Sequence, residues 1–239
     1  MDEREGTEMK RRMALGKMLN LRDLGGYPTA DGRTTRWGVL LRGDNPMGLT
    51  DADARLLLER NITTVIDLRS QEEARQFPDE LTARPGFNCH FIPMSTGEKL
   101  PNEEELIGLG YFRTLERKDT IRSVLETIAD APGGVLFHCM AGKDRTGCIA
   151  ALLLTLAGVD RLDILADYQV SQTYIRPVIR WMQETRADLP AYVGLSKPEY
   201  LEDCLERLEG AYGSVLDYLR AIGLTQPVLE RLKSKLLEE

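Results

Sequence analysis

The sequence is poor in metal ligands. Its 239 residues include two histidines, His90 and His138, and four cysteines, Cys89, Cys139, Cys148 and Cys204. No two cysteines form a CxxC pair, so the spacing writes in neither a His/Cys zinc site nor a redox dithiol, and no metal or other cofactor is expected. A chain of this length builds its own core, so the cysteines are expected as reduced thiols rather than as a disulfide framework. Long apolar runs are missing too. The longest, "CIAALLLTLAG" at 148–158, is too short to span a bilayer. The N-terminal "MDEREGTEMKRRMALGKM" is charged and has no apolar h-region of the secretory type. These absences predict a cytoplasmic protein with no stable membrane insertion, with non-classical export left open. Excess positive charge is also lacking. The formal net charge is −7, so no global field draws in nucleic acid, and any anionic substrate must be held by local cations. Nothing in the composition sets an oligomeric state.

What is present suits a folded protein: 42% hydrophobic and 29% charged residues. Residues 1–10 are expected to lack order, and 11–239 to form one domain. Strand-like runs occur at "WGVLLR", "ITTVIDLR", "CHFIPM" and "GVLFHC". Helical patterns alternate with them. Thr50 with Asp53, and Ser70 with Glu73, look like helix N-caps, and Asp160 starts a further helix that Pro177 kinks or restarts. A polar loop covers 95–104. The tail from Pro198 onward is helical, with breaks expected at Gly210–Gly213 and Gly223. Strands alternating with helices predict an α/β fold with a mostly parallel sheet flanked by helices.

The chemistry concentrates in "VLFHCMAGKDRTGCIAALLLTLAG" at 135–158. A strand delivers Cys139 to its C-terminal end, and a helix follows almost at once. Ligands bind at that edge of open α/β sheets. A tight loop of Met140, Ala141, Gly142 and Lys143 aims successive N–H groups into a nest, and the helix adds its positive end, which suits a phosphate dianion. The planar fork of Arg145 holds two phosphate oxygens. The same field lowers a cysteine's pKa from about 8.5 to about 3.5–7.5. Cys139 is then a thiolate in line for attack on phosphorus. Thr146 can donate to the sulfur and His138 can brace the loop from behind. Asp144 is the nearest carboxylic acid for the leaving group, and Lys143 adds charge for the substrate. Asp67, which ends a strand on the same side, is the other candidate acid; its alternative is a structural partnership with Arg69. Arg22, Asp23, Arg42 and Arg69 either line the pocket mouth or hold the N-terminal loop by ion pairs. Cys148 is either a redox partner of Cys139 or a small core residue.

Two rival loops fit less well. A nucleotide-binding phosphate loop needs Ser/Thr where Asp144 stands. A sulfurtransferase loop has no need of Asp-Arg-Thr running into the helix.

"HCMAGKDRTG" matches the signature of the cysteine-dependent phosphatases: His-Cys, five residues, Arg, Thr. "NLRDLGGY", "LRGD", "VIDLRS" and "DYQVS" narrow the match, and the chain over 15–185 resembles the bacterial tyrosine phosphatase family that includes secreted phosphatases of mycobacteria and Listeria. That resemblance implies a tyrosine-phosphatase-like α/β fold, here with extra C-terminal helices, a phosphocysteine intermediate, no metal, and Asp144 as general acid. It associates Lys143 with phosphoinositide as well as phosphotyrosine turnover, and "DRT" is similar to lipid phosphatases of the myotubularin and Sac types. The substrates implied are phosphorylated proteins, on tyrosine and also on serine or threonine, and phosphoinositides. No Trp-Pro-Asp acid loop of the classical enzymes is present, and an export signal like that of the secreted relatives is not evident. The alternative from another class is a catalytically weak phosphate-binding module.

Overall fold

Branched Cβ atoms pack well on a pleated surface and crowd a helix. The run at 62–66 accordingly forms strand β3, Ile62–Asp67, inside a five-stranded sheet. The computed structural model describes residues 10–94, 103–186 and 189–238. Its other strands are β1 (Arg22–Asp23), β2 (Leu40–Gly43), β4 (Asn88–Phe91) and β5 (Gly134–His138). The spatial order is β1-β2-β5-β3-β4. β2, β5, β3 and β4 run parallel, which places Gly43 and Asp67 on either side of His138. The two-residue β1 pairs antiparallel with β2. The expected mostly parallel sheet is present. β2 starts later than "WGVLLR" suggests, because Gly38 takes φ +70° in a turn before it.

Side chains alternate along β5. Val135 and Phe137 join the larger core with Leu40 and Ile66, while Leu136 joins a smaller one with Leu41 and Val65. Burial on both faces explains why these strands read as unbroken apolar runs. Helix α1 (Asp51–Glu59) places Leu57 in the smaller core. Helix α2 (Gln71–Gln76) follows β3. The larger core is built by α3 (Ile107–Leu115), α4 (Lys118–Asp130), α5 (Asp144–Ala157), α6 (Arg161–Tyr174), α8 (Pro198–Tyr212), α9 (Val215–Ala221) and α10 (Gln226–Leu236). Helix α7, Arg176–Thr185, has no buried residue. In α5 every residue from Arg145 to Leu154 is buried, so the helix that starts at the loop also runs through the middle of the core.

The caps follow the sequence. Thr50 with Asp53 and Ser70 with Glu73 make complete capping boxes, and Asp160 accepts the Leu162 N–H. Pro177 stands in the first turn of α7, where its missing N–H costs nothing. The break expected at Gly210–Gly213 falls at its far end: Gly210 lies inside α8, and the helix stops at Tyr212, with Gly213 at φ +91°. A single glycine costs about 1 kcal/mol in a helix, and the burial of Leu205 and Leu208 offsets it. The expectations for residues 1–10 and 95–104 fall outside the described residues, except at Lys10 and at 103–104. No helix among the described residues is long and apolar enough to cross a membrane.

Candidate active site

Cys139 follows the last residue of β5 and α5 starts at Asp144, so five residues make the whole turn. A nest for an anion needs its N–H groups turned inward and its carbonyls turned away. The surrounding chain provides this by binding the carbonyls from outside. The Asn45 N–H donates to the Met140 carbonyl at 3.2 Å. Asn20 Nδ2 donates to the Ala141 carbonyl at 2.9 Å. Arg42 donates to the Gly142 carbonyl at 2.9 Å. Gly142 has φ +63°, and a Cβ there would lie 2.5 Å from the Gly43 backbone, so only glycine lets the loop seat on β2. No side chain caps the N-terminus of α5, so its positive end stays available to a ligand.

The supports are themselves pinned. Asp44 accepts the N–H groups of Leu19 and Asn20 at 2.8 and 3.0 Å. Asp167, on α6, binds Arg22 at 2.8 Å and also Arg42, with all three side chains buried. Arg22 reaches on to Asn20 Oδ1 at 2.6 Å and Ser171 Oγ at 3.0 Å. Burial pushes the Asp167 carboxyl upward, but the two guanidinium groups outweigh it and hold it well below the usual range. Burial and the neighbouring Arg22 pull Arg42 down to about 10, which still leaves it a cation at neutral pH. Arg22 and Arg42 are therefore ion-pair partners behind the loop and do not line a pocket mouth. Asp23 accepts the N–H groups of Gly25 and Gly38, each at 2.8 Å, and organises the N-terminal turn.

Arg145 does not stand free. Glu73, from α2, takes one hydrogen from each terminal nitrogen, at 2.6 and 2.7 Å. Burial raises the Glu73 carboxyl, and the bonds and charge of Arg145 overcome this and hold it at about 2. The fork expected to grip phosphate is half occupied by protein. Its Nε remains, buried and without a partner among the described residues. Thr146 Oγ1 is equally buried and unpartnered, so the bond expected from Thr146 to the sulfur is not made. Each unpaired buried donor costs about 1–3 kcal/mol, and an oxyanion in the nest would satisfy such donors. Cys139 itself is 2% exposed.

Asp144 is held from two sides. Tyr111, on α3, donates its hydroxyl to Asp144 Oδ1, and Lys143 Nζ lies 3.0 Å from the same oxygen. The hydroxyl of Tyr168, on α6, is 2.8 Å from that of Tyr111 and completes a chain of donors. Burial, then the charge of Asp144, raises both phenols, so they stay neutral. Lys143 also donates to the Leu195 carbonyl at 2.6 Å. Its ammonium is therefore folded against Asp144 and the chain after α7, instead of being displayed to a substrate as the sequence suggests.

The ring of His138, the last residue of β5, is held outside the loop, with Nε2 3.1 Å from Asp79 Oδ2. Asp67 accepts two bonds from the Arg69 guanidinium, at 2.8 and 2.6 Å, and one from the Arg69 N–H. It is the structural partner of Arg69. Asp67, Asp79 and His138 bring ligand atoms within 4.8 Å of one another, which is the spacing of a metal site. Arg69 already supplies the positive charge there. Cys148 is buried in the larger core beside Cys204, and their hydrogen bond, with burial, raises its thiol well above the ordinary range. Glu73, Tyr111, Asn20 and Asp79 acquire their roles only through tertiary contacts, although Asn20 falls inside the quoted "NLRD".

A family model described as the tyrosine phosphatase family matches residues 13–238. A tyrosine-protein phosphatase of Nostoc commune is 33% identical over 210 residues, spanning 79% of this chain and 70% of that protein. The triple specificity protein phosphatase PtpB of Mycobacterium tuberculosis is 29% identical over 271 residues, covering 91% of this chain and 96% of that one. With a cysteine-centred loop built this way and a match over nearly its whole length, the chain belongs to the tyrosine phosphatase family of cysteine-dependent phosphatases.

Proposed function

We propose that residues 11–239 act as one phosphatase domain that hydrolyses phosphomonoesters through a phosphocysteine intermediate. The N–H groups of 140–145 and Arg145 Nε bind the phosphate dianion. The Cys139 thiolate attacks phosphorus as the bond to the leaving oxygen breaks, and Asp144 gives that oxygen its proton. Asp144 then takes a proton from water, which attacks the phosphocysteine and releases phosphate and the thiolate. His138 and the Asn20–Arg42–Asp167 scaffold hold the loop in shape. One observation carries this reading. Three consecutive carbonyls, of Met140, Ala141 and Gly142, are bound from outside the loop, while buried donors on Arg145 and Thr146 are left unpaired in the first turn of the helix that follows it.

The substrate reading is phosphotyrosyl protein, with activity on phosphoserine or phosphothreonine and on phosphoinositides. The name of the mycobacterial relative, a triple specificity protein phosphatase, supports breadth of this kind. Lys143 adds its charge to a highly anionic substrate only by leaving Asp144 and the Leu195 carbonyl. The test is phosphate release, without added metal, from an aryl phosphate, phosphotyrosine and phosphoserine peptides and soluble phosphoinositides, with Cys139→Ser as the blank. Turnover lost in Cys139→Ser while phosphate binding persists is the expected result. Robust turnover by that variant refutes the nucleophile. No turnover above the blank leaves a phosphate-binding module.

A further inference from the structure

A cavity of about 290 Å³ lies beside β3 and β4, just below the ~300–1,000 Å³ usual for small-molecule sites. Val65 pairs with Cys89 and Asp67 with Phe91, so these four lining residues share one face of the sheet. Leu136 and His138 of β5 are in register with them. This is the face of the smaller core, whereas α5 packs on the larger core across the sheet. No residue of 139–146 lines the cavity, so it is separate from the phosphate nest.

Val65, Ala74, Pro78 and Phe91 give the cavity apolar walls. Phe91 is 48% exposed, an aromatic ring left to water. The charges around this space do not balance. Two carboxylates, Asp67 and Asp79, line it with one guanidinium, Arg69. Arg69 is committed: its Nε and Nη2 bind Asp67, and its Nη1 binds the Phe77 carbonyl. Asp79 accepts the Leu81 N–H at 2.8 Å and stands 3.1 Å from His138 Nε2. Among the described residues it pairs with no lysine or arginine. A carboxylate has about four lone-pair positions, so Asp79 can accept further bonds. A buried carboxylate is ordinarily matched by a cation. The missing group is therefore a donor of positive charge, and an anion is disfavoured here.

Two lining residues bear on the supports of the phosphate loop. Asp79 holds the ring of His138, which directly precedes Cys139. Ala74 follows Glu73 on α2, and Glu73 holds both terminal nitrogens of Arg145. We propose that this cavity is a second ligand site, taking a small amine with a flat apolar body, and that its occupant slows the enzyme from behind the loop. The ammonium donates to Asp79, and the apolar body lies against Phe91 and Ala74. A bond to the ammonium draws Asp79 from His138. Pressure on Ala74 moves Glu73 and, with it, Arg145. The slowing rests on the phosphatase reading given above; the binding does not.

The probe is phenethylamine, set against phenethyl alcohol, which has the same body and no charge. Binding to the full chain is read by NMR titration of the probe. Saturable binding of the amine at about millimolar concentration is expected, and it should persist in Cys139→Ser. The alcohol should bind about tenfold more weakly. Asp79→Asn should bring the amine down to the affinity of the alcohol and leave the alcohol unmoved. Ala74→Leu, which fills the cavity from α2, should abolish binding of both. In the native enzyme the amine should lower kcat for an aryl phosphate, and inorganic phosphate should not displace it. Displacement by phosphate, or inhibition that saturating aryl phosphate relieves, puts the amine in the catalytic cleft and overturns the site. Binding that Ala74→Leu leaves intact overturns it too, as does an alcohol that binds as tightly as the amine. Binding as expected with kcat unchanged overturns the control of the loop and upholds the site. Binding as expected in a protein that turns over no phosphate ester upholds the site and removes the phosphatase reading.

Discussion

Asp144 shares one carboxylate oxygen between the Tyr111 hydroxyl and the Lys143 ammonium. The Tyr111 bond fixes the direction in which that carboxyl group points. In Tyr111→Phe, kcat is expected to fall more for an alkyl than for an aryl phosphate, with little change in the fold beyond one lost buried hydrogen bond. Equal kcat on both substrates in the variant and the native enzyme removes Tyr111 from the positioning of the acid. Asp144→Asn should slow alkyl phosphates more than aryl phosphates, because an alkoxide needs its proton more than a phenolate does. Equal losses on both would end the acid assignment. Residue identity and spacing reveal Asp144, since it lies inside the motif. They do not reveal Tyr111, which is 33 positions away and buried among apolar neighbours.

Helix α2 shows how a local rule becomes part of the site. Ser70 and Glu73 read from the sequence as a capping box, and they form one. The same Glu73 carboxylate also holds Arg145. A six-residue helix thereby fixes the orientation of the phosphate-binding guanidinium. Ser70→Ala should cost about 1 kcal/mol in stability. It should also raise KM for an aryl phosphate more than it lowers kcat, because Glu73 loses its anchor while Cys139 and Asp144 keep theirs. Denaturant midpoints and steady-state kinetics read the two effects separately. A change in stability with KM unmoved would make the box structural only. Elements of this kind are legible because caps and β-branched runs act within a few residues. The break expected at Gly210–Gly213 falls at Gly213 and not at Gly210, since packing of α8 on α3 and α9 overrides a weak local preference at the first glycine.

At the scale of the molecule, three distant segments meet on Asp167. Arg22 and Arg42 come from the sheet and Asp167 from α6, and the cluster ends on the Gly142 carbonyl of the phosphate loop. Asp167→Ala leaves two buried guanidinium groups without a counter-ion. It should cost about 3–5 kcal/mol and lower activity together with stability; a loss under about 1 kcal/mol would contradict the cluster's role. Acid should act through the same groups. Glu73, at about 2, and Asp67 and Asp167 all titrate below their ordinary values in the fold. Their stabilisation is complete above the unfolded values, about 4, and is lost as pH falls through the folded ones. Asp23 and Asp44 are raised by burial and work in the opposite sense. Unfolding midpoints should therefore fall steeply between about pH 4 and pH 2, and Asp167→Asn should flatten that decline. A decline as steep in the variant would place the acid sensitivity elsewhere.

By itself the sequence determined the four parallel strands, the helix starts at Thr50, Ser70 and Asp160 and the loop with its cysteine, arginine and aspartate. These depend on periodicity, caps and a contiguous motif, whose physics acts over a few residues. Tertiary structure alone decided which way the charges point. Arg22, Arg42 and Arg69 were open between pocket and scaffold until burial paired them with Asp167 and Asp67. Lys143 looked aimed at substrate until the chain after α7 accepted its ammonium. A buried ion needs its partner wherever the chain has carried it, and for these residues that partner lies across the fold, except at Asp67.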